Sequence, residues 1–186
     1  MGADPLSDDP PAWLPRLLRL EDFDGEWERY FNAVKAVFSA DFEGARPTVR
    51  GRRVGLKRMP LVEGMTATFW HFISEGKGEA DRRPDLRRCE RIGWPRALIL
   101  AIDSDRVCVW EEEDPRRGRK LLVSLLDYSY LLVLDDRGDY LLPWTAYRVE
   151  HEHGRDKLRR RHEGSNAKKA EAAPKDGLVT PSTRGG

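Results

Sequence analysis

The sequence predicts an α+β domain in which one or more N-terminal helices pack on an antiparallel meander sheet of about four strands. Two observations carry this prediction. Between Gly25 and Phe42 the apolar residues fall at three- and four-residue steps, which is helical periodicity. Four apolar segments at 107–114, 120–127, 130–136 and 140–150 then follow one another through short, turn-like connectors. Connectors of that length favour antiparallel neighbours.

The length and the charge of the chain limit the classes of protein to which it can belong. With 186 residues the chain holds one domain and its tails. We expect a flexible N-terminal segment over 1–20, a single domain over 21–163 and a disordered tail over 164–186. Charged residues make up 35% of the chain, but 33 Lys and Arg nearly cancel 32 Asp and Glu. Any footprint for nucleic acid must therefore be local.

Several classes of protein are not favoured by the sequence. No apolar run is long enough to span a membrane, and the first residues do not read as a signal peptide. Cys89 and Cys108 have no metal-ligand spacing, so we expect them to stay reduced in a cytoplasmic protein. His151 and His153 are spaced like ligands on a strand, but a surface pair is the favoured interpretation. We expect no metal and no cofactor, because no motif for either occurs.

The elements are predicted in chain order as follows. Asp22 or Asp24 caps the first helix. The segment 46–57, RPTVRGRRVGLK, is a strand pair turning at about Gly51, and its arginines either protect a solvated edge or face phosphate. Residues 65–73 are expected to form a strand or an extended segment that leads to His71. A helix follows Pro84 and is broken at 94–95, and 97–103 is a buried strand or a short helix.

One histidine and an arginine cluster are the first candidates for chemistry. His71 lies among Phe69, Trp70 and Phe72. The ordinary pKa of a histidine side chain is close enough to neutrality for proton transfer. Guanidinium groups match phosphate with two parallel hydrogen bonds. The cluster contains six arginines and no lysine: Arg82, Arg83, Arg87, Arg88, Arg91 and Arg96.

Other candidates lie outside the cluster. Lys77 precedes it in a glycine-flanked loop. In the last strand Thr145 and Tyr147, next to Trp144, point to one face. A hydroxyl and a phenol side by side suit a phosphate or a ribose, although both residues are also ordinary strand formers.

Four stretches together resemble a known family: TFWHFISEG, RRPDLRRCERIGWPR, VWEEED, and LLPWTAYRVE with its basic extension. They are similar to the phage-associated branch of the Barnase–EndoU–colicin–RelE (BECR) nuclease superfamily, some of whose members are known only as phage-related proteins. The similarity covers roughly residues 25–163. It implies an α+β fold and metal-independent RNA cleavage by a toxin-like or defence effector.

The resemblance also implies roles for particular residues. His71 would be the general base or acid, Arg88 or Arg87 would hold the phosphate, and Thr145 and Tyr147 would complete the catalytic site. RNA is the expected partner, with an immunity or antitoxin protein as a further candidate and the oligomeric state open. The substrate-binding set would comprise Arg82, Arg83, Arg87, Arg91, Lys77 and Trp144.

Two alternatives stay open at this point. One is a non-catalytic nucleic-acid-binding module that uses the same basic face. The other is a structural or protein-interaction domain in which each arginine meets a carboxylate at the surface.

Overall fold

The computed structural model describes residues 10–75, 83–116 and 118–172, and within these it is an α+β domain. Its centre is a curled six-stranded sheet of mixed direction. The spatial order of its strands is β1 (Thr48–Val49), β2 (Arg52–Val54), β8 (Tyr140–Arg148), β7 (Tyr130–Asp136), β6 (Gly118–Leu125) and β5 (Val107–Asp114). Helices cover both faces of the sheet. The predicted α+β class is therefore confirmed, but the sheet is mixed in direction and has six strands rather than about four antiparallel ones. No helix among the described residues combines the length and apolar content that crossing a bilayer requires.

The first long helix, α1, spans Trp27–Phe38 and continues as one wider turn over Ser39–Gly44. It buries Tyr30, Phe31, Val34 and Phe38, which lie on one face because they recur at three- and four-residue steps. The predicted helix over 25–42 corresponds closely to this element.

The basic hairpin consists of β1 (Thr48–Val49) and β2 (Arg52–Val54). Its two turn residues, Arg50 and Gly51, both have positive φ, at 47° and 78°, as a tight hairpin turn requires. Strand β2 also pairs in parallel with β8 through Val54 and Leu141. This parallel pairing adds the hairpin to the sheet.

The four predicted strands are β5 (Val107–Asp114), β6 (Gly118–Leu125), β7 (Tyr130–Asp136) and β8 (Tyr140–Arg148). They pair in this order as antiparallel neighbours. The register between β7 and β8 shifts because Thr145 faces Val133 while Pro143 faces Leu134, which leaves Trp144 as a β-bulge. Beyond this bulge, no strand of the described residues pairs with the outer side of β8, which is covered by helices.

The segment around His71 corrects the expectation of a strand, because α2 is a helix over Ala67–Ile73. Thr66 caps it, since its Oγ1 accepts a hydrogen bond from the Phe69 N–H at 3.4 Å. All seven helical residues are buried. A helix buried on every side shows no amphipathic periodicity, so its aromatic and β-branched residues favoured a strand.

Two short strands and two short helices follow α2. Strands β3 (Ser74–Glu75) and β4 (Arg83–Pro84) pair with each other, and 76–82 connect them. Helix α3 (Leu86–Glu90) is capped by Asp85, whose Oδ1 accepts from the Arg88 N–H at 2.9 Å. Helix α4 spans Trp94–Leu100. Residues 94–95 therefore begin a helix, and the segment 97–103 is mostly helical rather than a strand.

The second face of the sheet is covered by α5 (Glu152–Ala172). Leu158 is its buried residue and packs with Trp110, Leu122 and Leu131 of the sheet. The helix continues past Gly164, so residues 164–172 are not the start of a disordered tail. At the other end Leu14 and Leu17 are buried in the main core, although we expected a flexible segment there. Residues 1–9 and 173–186 lie outside the described ranges.

Candidate active site

His71 lies on α2 and is 4% exposed. Its Nδ1 is 3.2 Å from the carbonyl oxygen of Trp144, at the β-bulge of β8. Because a carbonyl oxygen only accepts, Nδ1 carries the hydrogen in this bond. In the neutral imidazole the lone pair then belongs to Nε2. The imidazole also meets the Trp144 indole edge to face, with ring centroids 4.7 Å apart. These contacts hold the ring in one orientation.

A cleft of about 690 Å³ runs past His71. Its wall is aromatic, because Trp27 and Phe31 stack at 5.3 Å and Trp70 lies 6.0 Å from Phe31. Arg83 lines the same cleft and is exposed. No carboxylate of the described residues comes within ion-pair distance of Arg83. The cleft therefore combines a buried histidine, an exposed guanidinium and stacking surfaces.

Three more charged side chains line this cleft: Glu28, and Lys35 and Glu63, which form a pair. Lys35 Nζ is 3.0 Å from Glu63 Oε2 and lies 4.6 Å from the centre of the Phe31 ring. Glu63 belongs to the loop before α2, and Trp70 Nε1 donates to the Val62 carbonyl oxygen of that loop at 3.1 Å. These contacts attach the loop to α1 and α2, so the cleft has a defined shape.

Arg88 reaches from α3 to the same outer edge of β8. Its Nη1 is 3.4 Å from both Thr145 Oγ1 and the Ala146 carbonyl oxygen. Its Nη2 is 2.8 Å from Glu75 Oε1. The Arg88 side chain is 13% exposed, against 71% for Glu75. Arg88 thus hydrogen-bonds the strand edge that helices cover and also holds the end of β3.

Tyr147 completes the group around Arg88, whose guanidinium lies 5.6 Å from the centre of the Tyr147 ring. Burial raises the pKa of the Tyr147 phenol, although Arg161 and Arg88 act in the opposite direction. The phenol therefore keeps its proton at neutral pH and is a donor. The structure brings together Arg88, Thr145 and Tyr147, as the sequence predicts. His71 bonds the same strand at Trp144, two residues from the Ala146 carbonyl.

The remaining arginines of the cluster do not share one surface. Arg87 is exposed and 3.9 Å from Glu150, and Arg96 is 3.8 Å from Asp41. Arg91 is only 3% exposed; its Nη1 donates to the Arg87 carbonyl oxygen and to Glu90, and it lies over the Trp94 ring. This burial corrects the expectation that Arg91 contacts substrate. Lys77 and Arg82 lie outside the described residues.

A second cleft, of about 510 Å³, is lined by two histidines for which the sequence favoured only a surface pair. His151 and His153 line it together with Arg87, Arg88 and Tyr147. Their spacing was the available signal, but sequence alone could not place the start of α5 beside α3. Of the described residues, no group of three or more His, Cys, Asp or Glu is arranged to hold a metal ion. The cleft therefore places two imidazole groups beside Arg88.

Comparison of the chain with protein families, with curated proteins and with solved structures finds no match.

Proposed function

We propose that this protein is a metal-independent endoribonuclease of the cytoplasm that cleaves RNA by attack of a ribose 2′-hydroxyl. One observation carries the proposal: His71 lines a cleft with Arg83 while its Nδ1–H is held by the Trp144 carbonyl. That arrangement leaves Nε2 as the basic nitrogen and puts a cation in the same cleft. The sequence resemblance to phage-associated BECR nucleases supports the same activity and a BECR-like fold.

The chemistry assigns one role to each group. His71 Nε2 takes the proton from the 2′-hydroxyl as its oxygen attacks phosphorus. Arg83 donates to the non-bridging oxygens and stabilises the charge that develops on the phosphorane. The bond from phosphorus to the 5′-oxygen breaks, and water in the open cleft protonates this leaving oxygen. The product is a 2′,3′-cyclic phosphate, because the attacking oxygen stays bonded to phosphorus.

Arg88, Thr145 and Tyr147 act as positioning residues in this proposal. Arg88 holds the outer edge of β8, the strand whose Trp144 carbonyl orients His71. It also binds Glu75, where β3 leads into the connection that carries Lys77 and Arg82. The predicted catalytic role of Arg88 is thereby replaced by support of the strand that aligns the base.

Incubation of a labelled RNA with the purified protein in excess EDTA tests the proposal. We expect cleavage to persist, the products to end in 2′,3′-cyclic phosphate, and a strand with 2′-deoxyribose at every position to stay intact. Cleavage that stops in EDTA and returns with Mg²⁺ or Mn²⁺, or cleavage of the deoxy strand, rejects this chemistry.

A protein-interaction domain is the second candidate, and a specific observation favours it. Arg87, Arg88, Arg91 and Arg96 each have a carboxylate partner, as expected if the cluster serves the structure. This candidate predicts no cleavage at all. A non-catalytic nucleic-acid-binding module predicts salt-sensitive RNA binding without cleavage.

A further inference from the structure

A third cleft, which we call the basic groove, lies on the other side of the loop that borders the His71 cleft. Its volume is about 840 Å³. The lining residues that matter here are Arg46, Arg53, Arg58, Met59, Leu61 and Tyr140. Of the described residues that line the groove, Glu43 is the single carboxylate, so this lining has an excess of positive charge.

The arginines of the groove differ from their neighbours on the same hairpin. Arg50 and Arg52 each pair with an aspartate at 2.8 Å, Asp103 and Asp136 respectively. Arg46, Arg53 and Arg58 are exposed, and no carboxylate in the described part of the chain lies within ion-pair distance of them. Arginines that only protect an edge strand as solvated charges need not divide into a paired set and a set without carboxylate partners. The second set places three guanidinium groups around one concave surface.

An aromatic ring lies among these cations. The Arg53 guanidinium is 4.9 Å from the centre of the Tyr140 ring. The ring packs directly on the main chain at Gly55, where an added Cβ would lie 2.6 Å from the Tyr140 Cδ2. Glycine is therefore needed for this close approach. Proteins that bind single-stranded nucleic acids combine such side chains: aromatic rings stack on the bases, and arginines contact the phosphates.

The groove is adjacent to the His71 cleft. Along the loop between β2 and α2, Met59 and Leu61 line the groove, whereas Pro60 and Val62 line the His71 cleft. Met59 and Leu61 are 66% and 56% exposed, so the loop presents apolar surface on the groove side. A strand that occupies the His71 cleft reaches the groove by crossing this one loop.

We infer that the basic groove is a second binding site for the same RNA strand, contacting phosphates and stacking on a base outside the scissile position. This inference rests on the proposed function for its ligand. Arg46, Arg53 and Arg58, which have no carboxylate partner in the described part of the chain, contact backbone phosphates, and Tyr140 with Arg53 offers the stacking surface. The site binds single-stranded rather than duplex RNA, because a base has to leave its stack to reach Tyr140.

Binding is tested with a fluorescein-labelled, fully 2′-O-methylated single strand of about 12 nucleotides, a length within the range of single-strand sites. This strand cannot be cleaved, so binding is measured whether or not the protein is a nuclease. The groove variant changes Arg46, Arg53 and Arg58 to alanine together. The control variant changes Arg16, Arg29 and Arg50, three exposed arginines outside the groove, and alters net charge equally.

We expect the groove variant to bind the strand more weakly. The steepness of log K against log salt should fall by about 2, because three phosphate contacts are lost and each contributes roughly 0.7 on a single strand. The control variant should keep most of the slope. A single Arg58→Glu variant, in an exposed loop, gives the same answer if the triple variant does not fold. A shortened strand that fills only the His71 cleft should bind the wild-type protein and the groove variant equally.

Three results overturn the inference. The first is a groove variant whose affinity and salt slope match those of the control variant. The second is an absence of any binding of the uncleavable strand by the wild-type protein. The third is a synthetic acidic peptide with leucine anchors that binds the wild-type groove more tightly than the strand does, which would assign the groove to a protein partner. If the groove variant cleaves RNA at an unaltered rate, the proposed activity stands and only the groove is rejected.

Discussion

His71 is held against Trp144 from two directions. Its Nδ1 donates to the Trp144 carbonyl oxygen at 3.2 Å, and the two rings meet edge to face at 4.7 Å. The acceptor is a main-chain atom at a β-bulge of β8, where the extra residue turns its carbonyl toward α2. Bulges of this kind commonly change the direction of neighbouring groups on a strand.

The first prediction concerns this histidine. His71→Gln should lower the single-turnover rate of RNA cleavage by about 10²- to 10⁴-fold, because glutamine can donate to the Trp144 carbonyl but cannot accept and return a proton near neutral pH. Affinity for a 2′-O-methylated strand and the melting temperature should change little. His153→Gln, an exposed position, serves as the matched control. Cleavage at the wild-type rate, or a loss of rate explained by unfolding, contradicts the assignment.

The second prediction concerns Arg88 and stability. Arg88→Ala should lower the free energy of unfolding by about 1–3 kcal/mol, since the Ala146 carbonyl at the covered strand edge loses a donor. Arg87→Ala should cost no more than about 0.5 kcal/mol, because its pair with Glu150 is long and exposed. Urea denaturation of both variants measures the difference. Equal effects would show that Arg88 does not support the strand edge.

The third prediction concerns acid and the attachment of α5. Burial by itself raises the pKa of Glu112, but hydrogen bonds from Arg161 and Trp110 outweigh it and hold the pKa below its ordinary value of 4.5. The folded state therefore binds this proton less tightly than the unfolded state does. The stabilisation is complete above the ordinary value and is lost as the pH falls through the lower, folded value.

Glu112→Gln should accordingly flatten the decline in stability below about pH 4.5, the ordinary pKa of this carboxyl group. Glu113→Gln is the control, because Glu113 is 75% exposed and 3.5 Å from Arg119. Urea denaturation at a series of pH values gives both curves. If the two variants show the same acid dependence as the wild type, the Arg161–Glu112 contact does not contribute to it.

The fourth prediction concerns the thiol of Cys89, on α3. Burial, with Asp85 and Glu90 nearby, raises its pKa to about 12, and the side chain is 0% exposed. In a Cys108→Ser variant the remaining thiol should not react with Ellman's reagent at mildly alkaline pH while the protein is folded. It should react at once in urea, which is the internal control. Rapid reaction without denaturant would mean that α3 opens readily.

Periodicity and turn chemistry are local, and where they were strong the sequence was sufficient. The spacing of Tyr30, Val34 and Phe38 predicts α1, and the short connectors predict the pairing of β5 to β8. The turn at Gly51 follows from its tolerance of positive φ. The extent of α5, which covers the second face of the sheet, was not predicted, because a polar helix with one buried residue has almost no apolar pattern.

Only the tertiary structure decided what surrounds each charged side chain. The sequence singled out His71, Arg88, Thr145 and Tyr147, and three of these meet at one strand edge. It could not distinguish the burial of Arg91 from the exposure of Arg83, which lines the cleft, because the arginines of one cluster look alike in a sequence. It likewise could not divide the arginines of the hairpin between aspartates and the basic groove. Ion pairs such as Arg52 with Asp136 join residues far apart in the chain, and folding alone brings them together.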